Sequence, residues 1–210
     1  NNTYGAVSLT KTGTGTQILV GASTYTDGTT INAGKLIVNN TSGSGTGSGS
    51  VTVNNGGTIG GTGTVAGAVT VNSGGTVAPG GVSVPGNLTL QSSLSFAAGS
   101  TCSMRIPSAT AGLYDKITVA GAVTLGSATL SIASAGLPDA PIDTIVWLIN
   151  KNGAGAVSGT FAGLPEGSVV VLQNWAWEIT YSADYATGGR AGGNDVALVR
   201  IPLPTTYIFQ

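Results

Sequence analysis

The sequence contains no histidine, one cysteine and very little charge. Without histidine the chain cannot form a Ser-His-Asp or Cys-His nucleophile, and it lacks the commonest metal-binding side chain. Cys102 has no second cysteine to pair with, so we expect it to be a small buried apolar residue. We therefore predict that the protein is not an enzyme and that it uses no cofactor and no metal.

Charged residues make up 7% of the chain, with a formal net charge of −1, whereas about 25% is usual. Nucleic-acid binding needs clustered Lys and Arg, but the seven basic residues are scattered along the chain. No apolar run approaches the roughly 18 residues of a membrane helix. We therefore expect no nucleic-acid partner and no membrane insertion of the mature chain.

Glycine is abundant, at 35 of 210 residues, and short apolar segments repeat. Segment 51–59 returns nearly unchanged as 69–77, an offset of 18 residues. Segment 65–71 returns as 119–125, an offset of 54, which equals three times 18, and segments 18–20 and 36–38 also lie 18 apart. A fixed period of this kind is typical of a solenoid, in which each repeat buries its apolar face against the next.

Each repeat predicts short strands and tight corners. Valine alternates with threonine in segment 51–53, which directs one face inward and the other to solvent. Two glycines at 56 and 57 supply the positive φ that a sharp corner needs. We therefore predict an all-β fold in which residues 1–135 form a parallel β-solenoid (β-helix) of about seven 18-residue rungs. The predicted core residues are Val51, Val53, Val69, Val71, Val119 and Leu125, and Asn54 is predicted to lie under Asn72 in an amide ladder.

Residues 136–210 have a different composition, with all three tryptophans and longer apolar strands. We predict a β-rich C-terminal cap here, because a terminal rung exposes unpaired backbone. Its tail, residues 202–210, begins with a stiff proline-rich spacer and continues into an alternating apolar segment. It is predicted either to add as a strand to a neighbouring subunit or to fold back on its own cap. The candidate assembly residues are Leu203, Tyr207, Ile208 and Phe209.

Trp175 and Trp177 lie two residues apart and therefore share one face of a strand. Exposed, they would form a stacking platform for sugar rings; buried, they would be the hydrophobic centre of the cap or an interface anchor. We favour burial. Segment 192–195 matches part of a calcium-binding repeat, but one incomplete copy supplies too few oxygens, so we favour a turn before a strand.

Paired carboxylates are the remaining candidates for catalysis, since a β-helix can present acids from neighbouring rungs to a polysaccharide. The candidate pairs are Asp139 with Asp143 and Glu166 with Glu178. Solvation of loops explains both pairs equally well, and we expect no catalytic site.

Segments 31–36, 60–65 and 71–80, with the closing runs 159–167 and 193–198, resemble the autotransporter-associated β-strand repeat proteins of bacteria. The resemblance implies a β-solenoid that is secreted or displayed on the cell surface, and the start at Asn1 rather than Met favours export. The leading hypothesis is a structural, self-assembling subunit of an extracellular filament or layer, joined end to end with copies of itself. The alternatives are a passenger-like adhesin that binds a surface glycan and, third, a polysaccharide-acting β-helix enzyme.

Overall fold

A computed structural model describes residues 7–134 and 140–203 of the protein. These residues form nineteen strands and no helix, so none of the described chain is a helix long and apolar enough to cross a membrane. The strands are β1 (Leu9–Lys11), β2 (Thr16–Leu19), β3 (Thr29–Ile31), β4 (Gly34–Val38), β5 (Val51–Val53), β6 (Gly57–Gly61), β7 (Thr64–Val65), β8 (Val69–Val71), β9 (Thr76–Pro79), β10 (Asn87–Leu90), β11 (Leu94–Phe96), β12 (Thr101–Arg105), β13 (Lys116–Val119), β14 (Val123–Thr124), β15 (Thr129–Ala133), β16 (Ile145–Lys151), β17 (Val169–Leu172), β18 (Trp175–Ala183) and β19 (Asp195–Ile201).

Three sheets run along the coil, and successive rungs add parallel strands to each face. Sheet A has the order β1-β3-β5-β8-β11-β14, and sheet B has the order β2-β4-β6-β9-β12-β15. Sheet C begins later, with β7-β10-β13-β16, and then continues through β19, β18 and β17. The predicted all-β parallel solenoid is confirmed.

The 18-residue rung is found around β5 and β8, where Val51 pairs with Val69, but rung length varies elsewhere. Val69 pairs with Leu94, 25 positions on, and Leu94 pairs with Val123, 29 positions on. The 54-residue echo therefore spans two long rungs, of 25 and 29 residues, whereas the sequence predicted three rungs of 18. Sheets A and B contain six strands each in the described chain, fewer than the predicted seven rungs.

The alignment of the first rungs was also wrong by one residue. Ile18 pairs with Ile37 and Leu19 with Val38, an offset of 19. The predicted offset of 18 would have placed Ile18, which is exposed, over the inward-facing Leu36. A one-residue slip exchanges the two faces of a strand, so burial of Leu36 and Val38 selects the observed register.

The longer rungs carry insertions at the corner that leads from sheet B to sheet C. One insertion lies between β9 and β10, and another between β12 and β13. An ion pair with a buried carboxylate and a partly exposed guanidinium joins them: Arg105 Nε lies 2.9 Å from Asp115 Oδ2, and Asp115 also accepts the Gly86 N–H at 3.0 Å. Arg105 Nη2 donates to the Pro79 and Val84 carbonyls. The ion pair therefore holds both loops at the corner that leads from sheet B into sheet C.

Inside the coil, stacked aliphatic side chains form one continuous core. The predicted core residues are confirmed: Val51, Val53, Val69, Val71, Val119 and Leu125 are all buried, none more than 1% exposed. The predicted amide ladder is also present and extends one rung further. Asn72 Nδ2 donates to Asn54 Oδ1 at 2.8 Å, and Asn54 Nδ2 donates to Asn32 Oδ1 at 2.7 Å.

A column of glycines forms the corner beside this ladder. Gly56 and Gly74 have φ values of 80° and 76°, in the left-handed region that glycine adopts without steric cost. The Gly56 N–H donates to the Gly74 carbonyl at 3.1 Å, and the Gly74 N–H donates to the Gly99 carbonyl at 2.9 Å. The corners therefore extend the hydrogen-bonded stack between the flat faces.

The C-terminal module is joined to the solenoid by sheet C. Strand β13 pairs in parallel with β16, with Ile117 opposite Ile149. Strand β16 then pairs antiparallel with β19, β19 with β18, and β18 with β17. The predicted boundary between residues 135 and 136 falls in segment 135–139, outside the described residues.

Candidate functional site: the ends of the solenoid

The ends of the coil leave their inward-facing side chains incompletely covered. The equivalent residues of the inner rungs are fully buried, but at the N-terminal end Leu9 and Leu19 are only partly buried. At the other end of sheet B, Leu130 and Ile132 of β15 are partly buried in the same way. Both ends of the coil therefore expose core-type apolar surface.

Strand β15 is one edge of sheet B, and among the described strands it pairs with β12 alone. The Thr129 N–H donates to Ser100 on the β12 side, and the Ala133 carbonyl accepts from Ile106 on the same side. Because alternate residues of a strand direct their backbone groups to opposite sides, Leu130 and Ile132 direct theirs away from β12. In the described chain the backbone groups of Leu130 and Ile132 on this side have no hydrogen-bond partner, whereas the flanking carbonyls of Ala128 and Ser134 each accept one hydrogen bond. Free donors and acceptors of this kind are what strand addition requires.

Strand β2 is the opposite edge of the same sheet and pairs, among the described strands, with β4 alone. Its surroundings are unusually apolar for a surface: Ile18 is 43% exposed and Val20 is 71% exposed. No charged residue lies within β2 itself, so it lacks the charged side chains that commonly protect edge strands.

The cap covers the other two faces at the C-terminal end. Ser158 bridges to Thr124 of sheet A, and the Ser158 N–H donates to the Val123 carbonyl at 2.9 Å. Sheet C is covered by β16. The cap also contacts both ends of β15: the Ala162 N–H donates to the Ala128 carbonyl at 2.9 Å, and Gln173 Nε2 donates to the Ser134 carbonyl at 2.6 Å. Between these two contacts, β15 has no strand partner beyond β12 in the described chain.

The structure describes little of the predicted assembly tail. Leu203 is 48% exposed, while Tyr207, Ile208 and Phe209 lie outside the described residues. Their role in assembly stays a prediction. Leu9, Leu19, Leu130 and Ile132 were not among the sequence candidates. The alternating apolar pattern of 129–133 marks it as a strand but does not reveal that it is the last of its sheet.

The two candidate tryptophans do not form a sugar-stacking pair. Trp177 is 1% exposed, so the favoured alternative, burial, holds for this residue. Trp175 is partly buried, with the Arg200 guanidinium 4.4 Å from its ring centroid. Both rings therefore pack within the cap.

The candidate carboxylates each have a partner of their own. Glu166 accepts the Tyr181 backbone N–H at 2.7 Å, and Glu178 forms an ion pair of 2.8 Å with Arg190. Asp143 lies 3.8 Å from the same guanidinium, and Asp139 is outside the described residues. These contacts favour structural roles for the acids that are described.

Asp195, in the segment that resembles part of a calcium repeat, is 4% exposed and is bound to backbone groups. Its Oδ1 accepts the Lys151 N–H at 2.6 Å, and its Oδ2 accepts the Tyr185 N–H at 2.7 Å. Within 7–134 and 140–203 no group of three or more His, Cys, Asp or Glu is placed to hold a metal ion. These bonds support the turn that the sequence favoured.

Cys102 is fully buried in sheet B, as expected for a small apolar residue. Burial raises the pKa of its thiol to about 12. Since the thiolate is the reactive form, this cysteine stays in its unreactive neutral state across the physiological range.

Residues 9–38, which contain β1 to β4, match the family model of the passenger-associated-transport-repeat. The chain carries an autotransporter-associated repeat. The match and the stacked parallel sheets together describe a passenger-like β-helix. No curated protein matches the chain.

Proposed function

We propose that this passenger-like β-helix is a structural subunit of the bacterial cell exterior that joins end to end with copies of itself. The observation that supports the proposal is that both edges of sheet B, β2 at one end and β15 at the other, lack an outer strand partner among the described residues. Within the described chain, both edges combine backbone groups that lack a strand partner with partly exposed core-type side chains. An extracellular or surface location is the setting in which the matched repeat family is expected.

The two edges belong to the same sheet and face opposite directions along the coil. A contact between β15 of one copy and β2 of the next is therefore head to tail, and such contacts repeat into filaments when the rotation between copies does not close a ring. Extending the strand register of sheet B places Ile132 over Leu19 of the next copy. Covering these side chains removes apolar surface from water, which stabilises the contact by about 25 cal/mol for each Å² buried.

The cap limits the form that this contact takes. Because residues near Ser158 and strand β16 cover sheets A and C at the C-terminal end, the neighbour approaches through sheet B. The tail from Leu203 onward is a further candidate strand for the same edges. Removing residues 204–210 tests that contribution separately, because it leaves β15 and β2 intact.

A lysine on the edge tests the proposal directly. Ile132→Lys places a charge between the stacked ends, which is how natural edge strands avoid pairing, whereas Ser131→Lys, on the exposed face of the same strand, is the matched control. We expect the native chain and Ser131→Lys to form linear assemblies by electron microscopy and light scattering, and Ile132→Lys to remain monomeric with an unchanged circular dichroism spectrum. Equal assembly of both variants, or a monomeric native chain at high concentration, would overturn the proposal.

The two alternative functions have less support from the candidate residues. The glycan-binding rod relied on Trp175 and Trp177, and the second of these is buried. The polysaccharide-acting enzyme relied on acid pairs, and Glu166 and Glu178 each have a structural partner. We therefore place self-assembly first.

A further inference from the structure

A cleft of about 400 Å³ lies where the solenoid meets the cap, on the outer side of sheet C. Three aromatic side chains, one lysine and one asparagine line it together with one alanine and two glycines. Its volume is in the range of small-ligand sites, about 300–1,000 Å³. The lining residues that matter here are Asn87, Gly112, Lys116, Trp147, Tyr185 and Gly188. These residues come from four separate parts of the chain.

Two of the rings meet edge to face inside the cleft. The Trp147 and Tyr185 centroids are 5.1 Å apart with an angle of 82° between the ring planes. Tyr185 is 40% exposed and Trp147 is partly buried, so both offer surface to a ligand. Tyr114 supports Trp147 from below, since its hydroxyl accepts the Trp147 backbone N–H at 3.3 Å.

Lys116 supplies a positive charge that has no carboxylate partner among the described residues. Its ammonium lies 4.5 Å from the centroid of Tyr185 and donates to the Tyr185 hydroxyl at 3.0 Å. The preceding carboxylate, Asp115, faces the interior and is bound to Arg105. Since an ammonium has three N–H donors, Lys116 has two beyond the one given to Tyr185.

The loop that carries Tyr185 is held in place before any ligand binds. Asp184 and Gly189 exchange two backbone hydrogen bonds, of 2.8 and 2.9 Å. The Asp195 carboxylate accepts the Tyr185 N–H through one oxygen and the N–H of Lys151, in strand β16, through the other. A prearranged site loses less conformational entropy on binding, which favours a binding role for this loop.

Glycines keep the walls open. A methyl group added at Gly112 or Gly188 would meet no atom within 4 Å, so no side chain at these two positions fills the space beside the rings. On the opposite side, Asn87 donates one amide hydrogen to Thr89 and accepts from Thr118. Its second amide hydrogen is available to a ligand hydroxyl.

We propose that this cleft binds an acidic sugar, a pyranose ring that carries a carboxylate. The Trp147 and Tyr185 rings provide apolar surface for the C–H face of the sugar, Lys116 pairs with its carboxylate, and the Asn87 amide donates to a hydroxyl. This site is separate from the β2 and β15 edges, so the inference goes beyond the proposed assembly function.

The charge of the cleft selects this ligand over two others. The lining residues include one cation and no carboxylate, which favours a ligand with a single negative group over a neutral sugar. Nucleic acid requires several phosphate contacts along its backbone, and one lysine does not provide them. An aromatic floor with one cation fits a compact, singly charged ring.

The test compares ligands that differ only in charge. Titration calorimetry with a galacturonate oligosaccharide and with its fully methyl-esterified form keeps the sugar ring constant while removing the carboxylates. We expect one site per chain and at least tenfold weaker binding of the ester, with affinity for the acid falling as salt rises. A sialylated oligosaccharide is the second acidic ligand, and the tighter of the two identifies the source. Failure of both acids to bind, or equal binding of acid and ester, would overturn the proposal.

Variants assign the binding to the cleft. Lys116→Gln is expected to lose at least tenfold in affinity for the acid, while Lys35→Gln, which removes the same charge outside the cleft, is expected to bind as the native chain does. Tyr185→Ala is expected to weaken both acid and ester. Unchanged binding in Lys116→Gln would refute the site.

Thermal unfolding of each variant verifies its fold. Repeating the titration on Ile132→Lys separates the two proposals: binding with native affinity in a monomeric protein supports the cleft independently of assembly, and its loss there would contradict the cleft as an independent site.

Discussion

The solenoid and the cap share a sheet but are stabilised in different ways. In the solenoid, interchangeable aliphatic side chains stack over one another, as Val51, Val69 and Leu94 do in successive strands of sheet A. In the cap, single aromatic residues make contacts that nothing nearby repeats. The solenoid therefore distributes its stability over many similar rungs, whereas the cap depends on a few individual residues.

Tyr181 illustrates the second kind of stabilisation. Its hydroxyl accepts the Phe161 N–H at 3.1 Å and donates to the Leu164 carbonyl at 2.6 Å, and its ring lies 6.3 Å from that of Phe161. These bonds hold the segment that follows the Ser158 bridge against β18. No other side chain of the described cap takes part in these two hydrogen bonds.

The largest expected effect comes from placing a charge in the stacked core. Val71→Asp buries a carboxylate without a partner, which costs several kcal/mol, and we expect loss of the β circular dichroism signal. Thr70→Asp, on the exposed face of the same strand, is the control and should unfold close to the native temperature.

Tryptophan emission then compares the two regions, because all three tryptophans lie beyond residue 140. We expect Val71→Asp to shift this emission to the red as well, since β16 depends on β13 for its parallel partner. A native emission spectrum together with a lost β signal would show that the cap folds alone, and would contradict this expectation.

The same contrast explains what the sequence could predict. The rung from β5 to β8 contains no insertion, so residues 18 apart in the sequence lie over one another in the coil. The buried valines of these strands could therefore be predicted. The rungs after β8 contain loops at the corner between sheets B and C, and two unequal lengths, 25 and 29, happened to sum to a multiple of 18. Insertions therefore limited how far the period could be extended.

The aromatic cleft had no periodic signal at all. Asn87 and Lys116 occupy neighbouring strands of the solenoid, whereas Trp147 and Tyr185 belong to the cap. Only the pairing of β13 with β16 brings them together. Trp175 and Trp177 lie two residues apart and are therefore recognisable as a pair in the sequence, whereas Trp147 and Tyr185, the more accessible pair, are separated by 38 residues.

Alkaline pH is expected to destabilise both regions through buried neutral groups. The pKa of Cys102 in the solenoid and that of Tyr181 in the cap are each raised to about 12, chiefly by burial. A raised pKa means that the folded state favours the protonated form, so the contribution is complete below the unfolded pKa and is lost as pH rises toward 12. The loss begins near pH 9 for the thiol and near pH 10 for the phenol.

Urea unfolding between pH 7 and pH 11 measures this loss, with a slope of up to about 1.4 kcal/mol per pH unit for each group. Cys102→Ala is expected to flatten the curve from pH 9, and Tyr181→Phe from pH 10. Tyr181→Phe also leaves the Phe161 N–H without its partner, so it should lower stability at neutral pH by about 1–3 kcal/mol. Variants that retain the full alkaline slope would show that other groups cause it.

The smallest expected effect concerns the amide ladder at the solenoid surface. Asn54 donates to Asn32 and accepts from Asn72, so Asn54→Ala removes two hydrogen bonds, but water reaches this site and replaces part of each. We expect a loss of about 1 kcal/mol, against little change for Asn55→Ala, its exposed neighbour outside the ladder. Asn54→Asp gives the sharper measurement, because its carboxylate still accepts from Asn72 but faces the Asn32 oxygen with no hydrogen between them. We expect Asn54→Asp to be less stable than Asn54→Ala in urea unfolding. The reverse order would mean that the amides do not have the donor-to-acceptor direction described, and that the stacked backbone alone holds these corners together.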